Sequence, residues 1–199
     1  MNVTGILLFV LMGLILLAPT IGLTWYYLAR VRNKRPSYYG RAVQRILKRY
    51  ALLRRYQVMQ DVHFEVEGKT GEFSHLLAGP FGLLIVTTLD HRGSYFGDAK
   101  TPYWIWDNTK TREQIPNPYL KNQKNIELLR RLFAKEEIYS VPVEQLIVYD
   151  SYAKKCGCFT GSEVPAVRVS KLSDYLNREK FDRDNGVDAQ RICRLFSEK

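Results

Sequence analysis

The chain is 199 residues long, 46% hydrophobic and 25% charged, with a formal net charge of +10. It has no internal repeat and no low-complexity stretch, which excludes solenoid and compositionally disordered architectures. The positive charge is confined to one segment: ten bases from Arg30 to Arg55 precede the first acid, Asp61, and from there 20 bases meet 20 acids. A broad basic groove for nucleic acid is therefore disfavoured, because the folded remainder is neutral.

The first element is Gly5–Ala29, 25 residues without a charged side chain. At about 1.5 Å per residue it exceeds the roughly 30 Å hydrocarbon core of a bilayer. Trp25, Tyr26 and Tyr27 close it at the level where amphipathic rings favour headgroups. No base precedes the apolar run, so it reads as a retained transmembrane anchor over residues 1–30 rather than a cleaved signal. Arg30, Arg32, Lys34 and Arg35 follow, in a basic juxtamembrane linker over 31–37. Their bias places the amino terminus outside and the domain in the cytoplasm, and suits them to anionic lipid headgroups.

Arg41–Arg55 follows as an amphipathic helix with Val43, Ile46, Leu47 and Tyr50 inward and its bases outward. Gln57–Val66, Glu72–Leu77 and Leu83–Thr88 read as strands, the last two joined by a Pro80-Phe81-Gly82 turn. Tyr103–Trp106 has aromatics at period two and ends in a turn at Asp107-Asn108. Asn117-Pro118 opens a helix whose buried face is Ile126, Leu129, Leu132 and Phe133. Gln145–Tyr149 is an apolar run fit for a buried central strand. A strand over Val164–Val169 and helices near Leu172–Leu176 and Val187–Phe196 complete the order. The expected fold is α/β, one mixed sheet flanked by helices and preceded by one transmembrane helix.

Several of these motifs resemble the nuclease-related domain (NERD) family, a branch of the PD-(D/E)XK restriction-endonuclease-like superfamily. Phe73, Ser74 and His75 stand in its Ile-Asp-His-type motif; Pro80, Phe81 and Gly82 keep its turn; Gly93 and Gly97 keep its Gly-x-x-x-Gly bend. Asn117-Pro118 with Gln123 matches its helix opening, and Asp61 stands where the family often has Asp. The resemblance runs from about Tyr38 to Tyr152, with 153–199 as an extension of the same domain.

What the resemblance implies about chemistry is altered at every charged position. Ser74 replaces the motif's Asp, Thr87 and Leu89 occupy its Glu and Lys positions, and Gly40-Arg41 stands for the first helix's Gly-Glu. The family's Mg²⁺-type ion needs hard oxygen ligands, usually including one or two carboxylates, and a Lys beside the phosphate. Two hydroxyls, a leucine and an arginine supply neither. Glu72 shares the face of Ser74 and is the acid best phased to replace a ligand; Asp90 is out of phase with Thr87.

Cys156, Cys158 and Cys193 read as reduced thiols, since Cys-x-Cys without a second pair lacks zinc-ligand spacing. The function expected is that of a membrane-anchored, catalytically inactive NERD-like domain acting by binding or assembly, without a cofactor. One alternative is a Mg²⁺-dependent nuclease with displaced carboxylates centred on Glu72. The other is an adaptor meeting a protein partner through exposed Trp104 and Trp106.

Overall fold

The computed structural model describes residues 38–91, 93–108, 110–149 and 157–197. Helix α1 (Tyr38–Arg54) buries Val43, Leu47, Tyr50 and Ala51, whose spacing of four, three and one lines a single face. Strands β1 (Gln57–Val66) and β2 (Lys69–Gly79) pair antiparallel through a two-residue turn at Glu67-Gly68, both with positive φ, as hairpin twist demands. β2 then pairs with β3 (Gly82–Thr88). Their turn needs glycine at 82: φ is +121°, and an added Cβ would lie 2.3 Å from the Pro142 carbonyl oxygen. That oxygen accepts a hydrogen bond from the Leu83 N–H at 2.9 Å, so neither backbone can withdraw.

β3 pairs in parallel with β7 (Val143–Tyr149), which pairs in parallel with β9 (Ala166–Arg168), giving the order β1-β2-β3-β7-β9. Leu83–Val86 and Leu146–Val148 are buried throughout, as central strands covered on both faces must be. One face carries α1 and α3 (Leu172–Leu176) over a core including Leu47, Leu77, Leu84, Leu146 and Leu172. The Tyr50 hydroxyl donates to the Leu176 carbonyl at 2.7 Å and locks these two helices together. The opposite face carries α2 (Pro118–Lys135) and α4 (Ala189–Ser197) over Leu76, Ile85, Leu129, Phe133 and Ile192.

The four strands expected to share a sheet do so. The single-sheet expectation needs correction, however. A second sheet, β6-β5-β4-β8, is built from β4 (Ser94–Phe96), β5 (Tyr103–Asp107), β6 (Arg112–Pro116) and β8 (Cys158–Phe159). A third cluster, Leu89, Tyr95, Trp104, Ile147 and Val164, joins residues of the two sheets.

Trp104 is also corrected: it is fully buried rather than exposed. Its ring lies against Gly97, where a Cβ would meet Cδ1 at 2.2 Å, and its Nε1 donates to the Asp98 carbonyl at 2.9 Å. Trp106 is half-buried beside the His91 ring.

The expected anchor Gly5–Ala29 and the lipid-binding candidates Arg30, Arg32, Lys34 and Arg35 lie outside the described residues. Among the described residues no helix is long and apolar enough to cross a membrane. Residues 38–199 form a compact unit of their own, and all three apolar clusters and both sheets are built within it. A chain beginning at Pro36 therefore carries everything its core needs.

Gly82→Ala is expected to destabilise the 36–199 chain by about 2–4 kcal/mol in urea unfolding, from backbone strain and the carbonyl clash. Gly161→Ala, with nothing within 4 Å of the added Cβ, is expected to stay within about 0.5 kcal/mol of the parent chain.

Candidate functional site

The ladder between β2 and β3 ends at His75↔Val86, one pair short of Ser74 and Thr87. Where it ends a cleft of about 160 Å³ opens, lined by Asp61, His63, Glu72, Phe73, Ser74, Thr87, Pro118, Lys121 and Asn122. Glu72, Ser74 and Thr87 thus meet in one place. Asp61 joins them from β1 with φ +48°, a left-handed conformation that Asp adopts more readily than most residues.

Two expected positions do not reach the cleft. Leu89, two residues past Thr87, would share its face if the strand continued, but β3 ends at Thr88 and the alternation ends with it. Leu89 turns into the third apolar cluster, 6% exposed. Arg41 is exposed on α1 and lines no part of the cleft. His75 lies on the opposite face of β2 from Ser74. It is 3% exposed; the Gly40 and Val86 backbones lie close to its ring, but neither ring nitrogen makes a hydrogen bond of good geometry among the described residues. Burial holds its pKa below the ordinary 6.5, against the opposing pull of Asp61.

Helix α2 supplies what sequence reading missed. Its cap, Asn117, is 2% exposed and fully engaged. Oδ1 accepts from the Tyr119 and Leu120 N–H groups at 2.9 and 3.3 Å, and Nδ2 donates to the Asp98 and Thr101 carbonyls at 3.0 and 2.6 Å. Asp98 is held in turn, its Oδ1 accepting from the Lys100 and Thr101 N–H groups. These bonds aim the first turns of α2 at the strand ends. Asn122 Nδ2 donates to Thr87 Oγ1 at 2.8 Å, and Asn125 Nδ2 donates to the Glu72 carbonyl at 2.7 Å. The Lys121 ammonium pairs with the Glu72 carboxylate. That hydrogen bond, with the charge of Lys121, holds the Glu72 carboxyl below its usual range. Asn122 and Asn125, which continue the buried stripe of Leu129, Leu132 and Phe133 with polar side chains, were the available sequence signal. Gln123, by contrast, is exposed.

The donor set does not fit the Mg²⁺-type ion that the resemblance implies. Such an ion usually takes one or two carboxylates; of the two that line the cleft, Glu72 already carries the Lys121 ammonium, which leaves Asp61, and Thr87 exchanges hydrogen bonds with Asn122. Among the described residues no three His, Cys, Asp or Glu side chains converge as metal ligands. The arrangement can neutralise, orient and hydrogen-bond, and it offers one ion pair at the mouth of a small polar cleft. Burial raises the Cys158 and Cys193 thiols to about 11 each, so neither ionises near neutrality.

The sequence model of a family described as "Nuclease-related domain" matches residues 38–150. An uncharacterized protein of Bacillus anthracis is 24% identical over 110 residues, covering 53% of this chain and 52% of that protein. The chain thus spans about half the length of the curated relative it matches. No solved structure matches significantly.

Asn117→Ala removes a helix cap and the tie to the 98–101 loop, and is expected to cost about 1–3 kcal/mol in urea unfolding. Asn117→Asp keeps the cap oxygen but sets a buried carboxylate oxygen against the Asp98 and Thr101 carbonyls, so its loss should equal or exceed that of Asn117→Ala. His75 sets a second expectation. Its folded pKa lies below 6.5, so just beneath pH 6.5 the unfolded chain binds a proton that the folded chain refuses. Stability should therefore fall as pH drops below 6.5, and His75→Gln should flatten that slope in urea midpoints taken across this range.

Proposed function

The chain belongs to the nuclease-related domain family, and on that premise we propose that it is a non-hydrolytic member working by binding or assembly at the cytoplasmic face of a membrane. The observation that carries this reading is the Lys121–Glu72 pair: the one acid in phase with Ser74 is occupied by an ammonium. Leu89 supports it, since the family's Lys position has become part of the apolar core. Phosphate ester hydrolysis needs on the order of 20 kcal/mol removed from its barrier. Most of that comes from ions and fixed charges around the phosphate. Ser74 and Thr87 hydroxyls cannot supply it.

A specific observation favours a second reading. Asp61, Glu72 and Lys121 line the same cleft, so a hydrolytic site rebuilt with its Lys on α2 is the alternative. Cleavage of DNA and RNA by the 36–199 chain with Mg²⁺ or Mn²⁺ separates the two. The proposal expects no cutting by the parent chain, by Glu72→Ala or by Lys121→Ala. Metal-dependent cutting by the parent chain, abolished by Glu72→Ala, would establish the rebuilt site instead.

The membrane part of the proposal rests on the uncharged run Gly5–Ala29 and the bases that follow it. The full chain is expected to remain in the membrane pellet after alkaline carbonate. Release into the supernatant would remove the anchor from this reading.

A further inference from the structure

Helix α1 has two faces of opposite character. The inner face is fastened: Val43, Leu47, Tyr50 and Ala51 are buried, the Tyr50 hydroxyl donates to the Leu176 carbonyl, and Arg54 Nε donates to Asp182 Oδ1 at 3.0 Å. The roll of the helix about its axis is therefore set. The outer face carries Arg41, Arg45, Lys48 and Leu52, at spacings of four, three and four, so the four residues follow one line along the helix. Arg49 and Leu53 flank that line. Leu52 is 82% exposed and Leu53 73%, the two most exposed large apolar side chains in the described structure. The helix contains no acid.

We propose that this outer face is an in-plane docking surface for an anionic lipid bilayer. The bases meet headgroup phosphates and carboxylates, and Leu52 and Leu53 enter the boundary between headgroups and acyl chains. Charge alone would suit a nucleic acid equally well. The leucines decide between them: single-stranded nucleic acid rewards aromatic stacking platforms, whereas the exposed large apolar side chains of this helix among the described residues, Leu52 and Leu53, are both aliphatic. A second copy of the chain is a poor occupant, because two acid-free basic faces repel on approach. This inference goes beyond the proposed function, since it depends neither on the state of the cleft nor on Gly5–Ala29. An anchor tethers the domain, whereas this face orients it.

The test uses the 36–199 chain, which lacks the run 5–29 and the bases from 30 to 35, in sedimentation with vesicles. Binding is expected to vesicles of phosphatidylcholine containing phosphatidylserine, not to phosphatidylcholine alone, and to weaken as salt rises. Arg45→Gln should lower the partition coefficient about fivefold, and Leu52→Ser with Leu53→Ser about tenfold. Both variants should melt with the parent chain, because the substituted side chains touch solvent in the free protein. Equal binding to neutral vesicles, or unchanged binding by the leucine variant, would overturn the proposal. So would an absence of vesicle binding accompanied by duplex or single-stranded nucleic-acid binding, or by self-association, that these same substitutions abolish. Carbonate extraction of the full chain reads the anchor separately, so failure of one does not imply failure of the other.

Discussion

Asn117 is the residue on which the geometry of the cleft depends. It is buried, and its one side-chain amide satisfies two helix N–H groups and two loop carbonyls at once. A buried amide left unpaired costs about 1–3 kcal/mol per group, so the first turn of α2 can leave the 98–101 loop only at considerable expense. That constraint joins the second sheet to the first. Asp98, whose carbonyl accepts from Asn117, accepts from Trp104 Nε1 as well, and Trp104 anchors the third apolar cluster. From the same turn, Lys121 and Asn122 extend to Glu72 and Thr87.

The family positions have changed in a way that is consistent across packing and charge. A Lys at position 89 would place an ammonium among Tyr95, Trp104, Ile147 and Val164 unless the backbone after Thr88 ran differently. Leu89 avoids that desolvation and contributes about 1.5–3 kcal/mol through burial. In the cleft, cationic charge comes from α2 rather than from β3, and it is spent on Glu72. The pair itself adds little stability, because both side chains are more than half exposed. Its consequence is chemical: the carboxylate meets an ammonium rather than an ion and its water. Thr87 is similarly held by Asn122, so the hydroxyl that replaces a ligand is already hydrogen-bonded.

Charge elsewhere is distributed unevenly along the chain. The bases cluster between Arg30 and Arg55, and the described part of that segment is a helix with its apolar stripe fastened inward. The cleft is lined by residues on the other side of the sheet from the packing face of α1. Whatever meets the outer face of α1 therefore does not cover the cleft by the same contact.

Local pattern was enough for much of this molecule. Alternation and turn chemistry located β1, β2, β3 and β7 and their common sheet, and Asn-Pro located the start of α2, because each signal lies within a few consecutive residues. The phase of Glu72 with Ser74 was also legible, since a strand repeats every two residues. The second sheet was not. β4 and β8 have three and two residues, too short for any period, and they pair in parallel across some 60 residues of chain. Arg112–Pro116 has no apolar alternation to mark it as β6. Trp104 read as exposed because period two says which residues share a face and not which face is covered. The space at Gly97 settled that only once the chain had closed on itself. Lys121, Asn122 and Asn125 belong to a helix whose sequence fixes its periodicity but not the sheet edge it meets. Which carboxylate is paired with which cation is a property of two elements packed together, so it first exists in the tertiary structure.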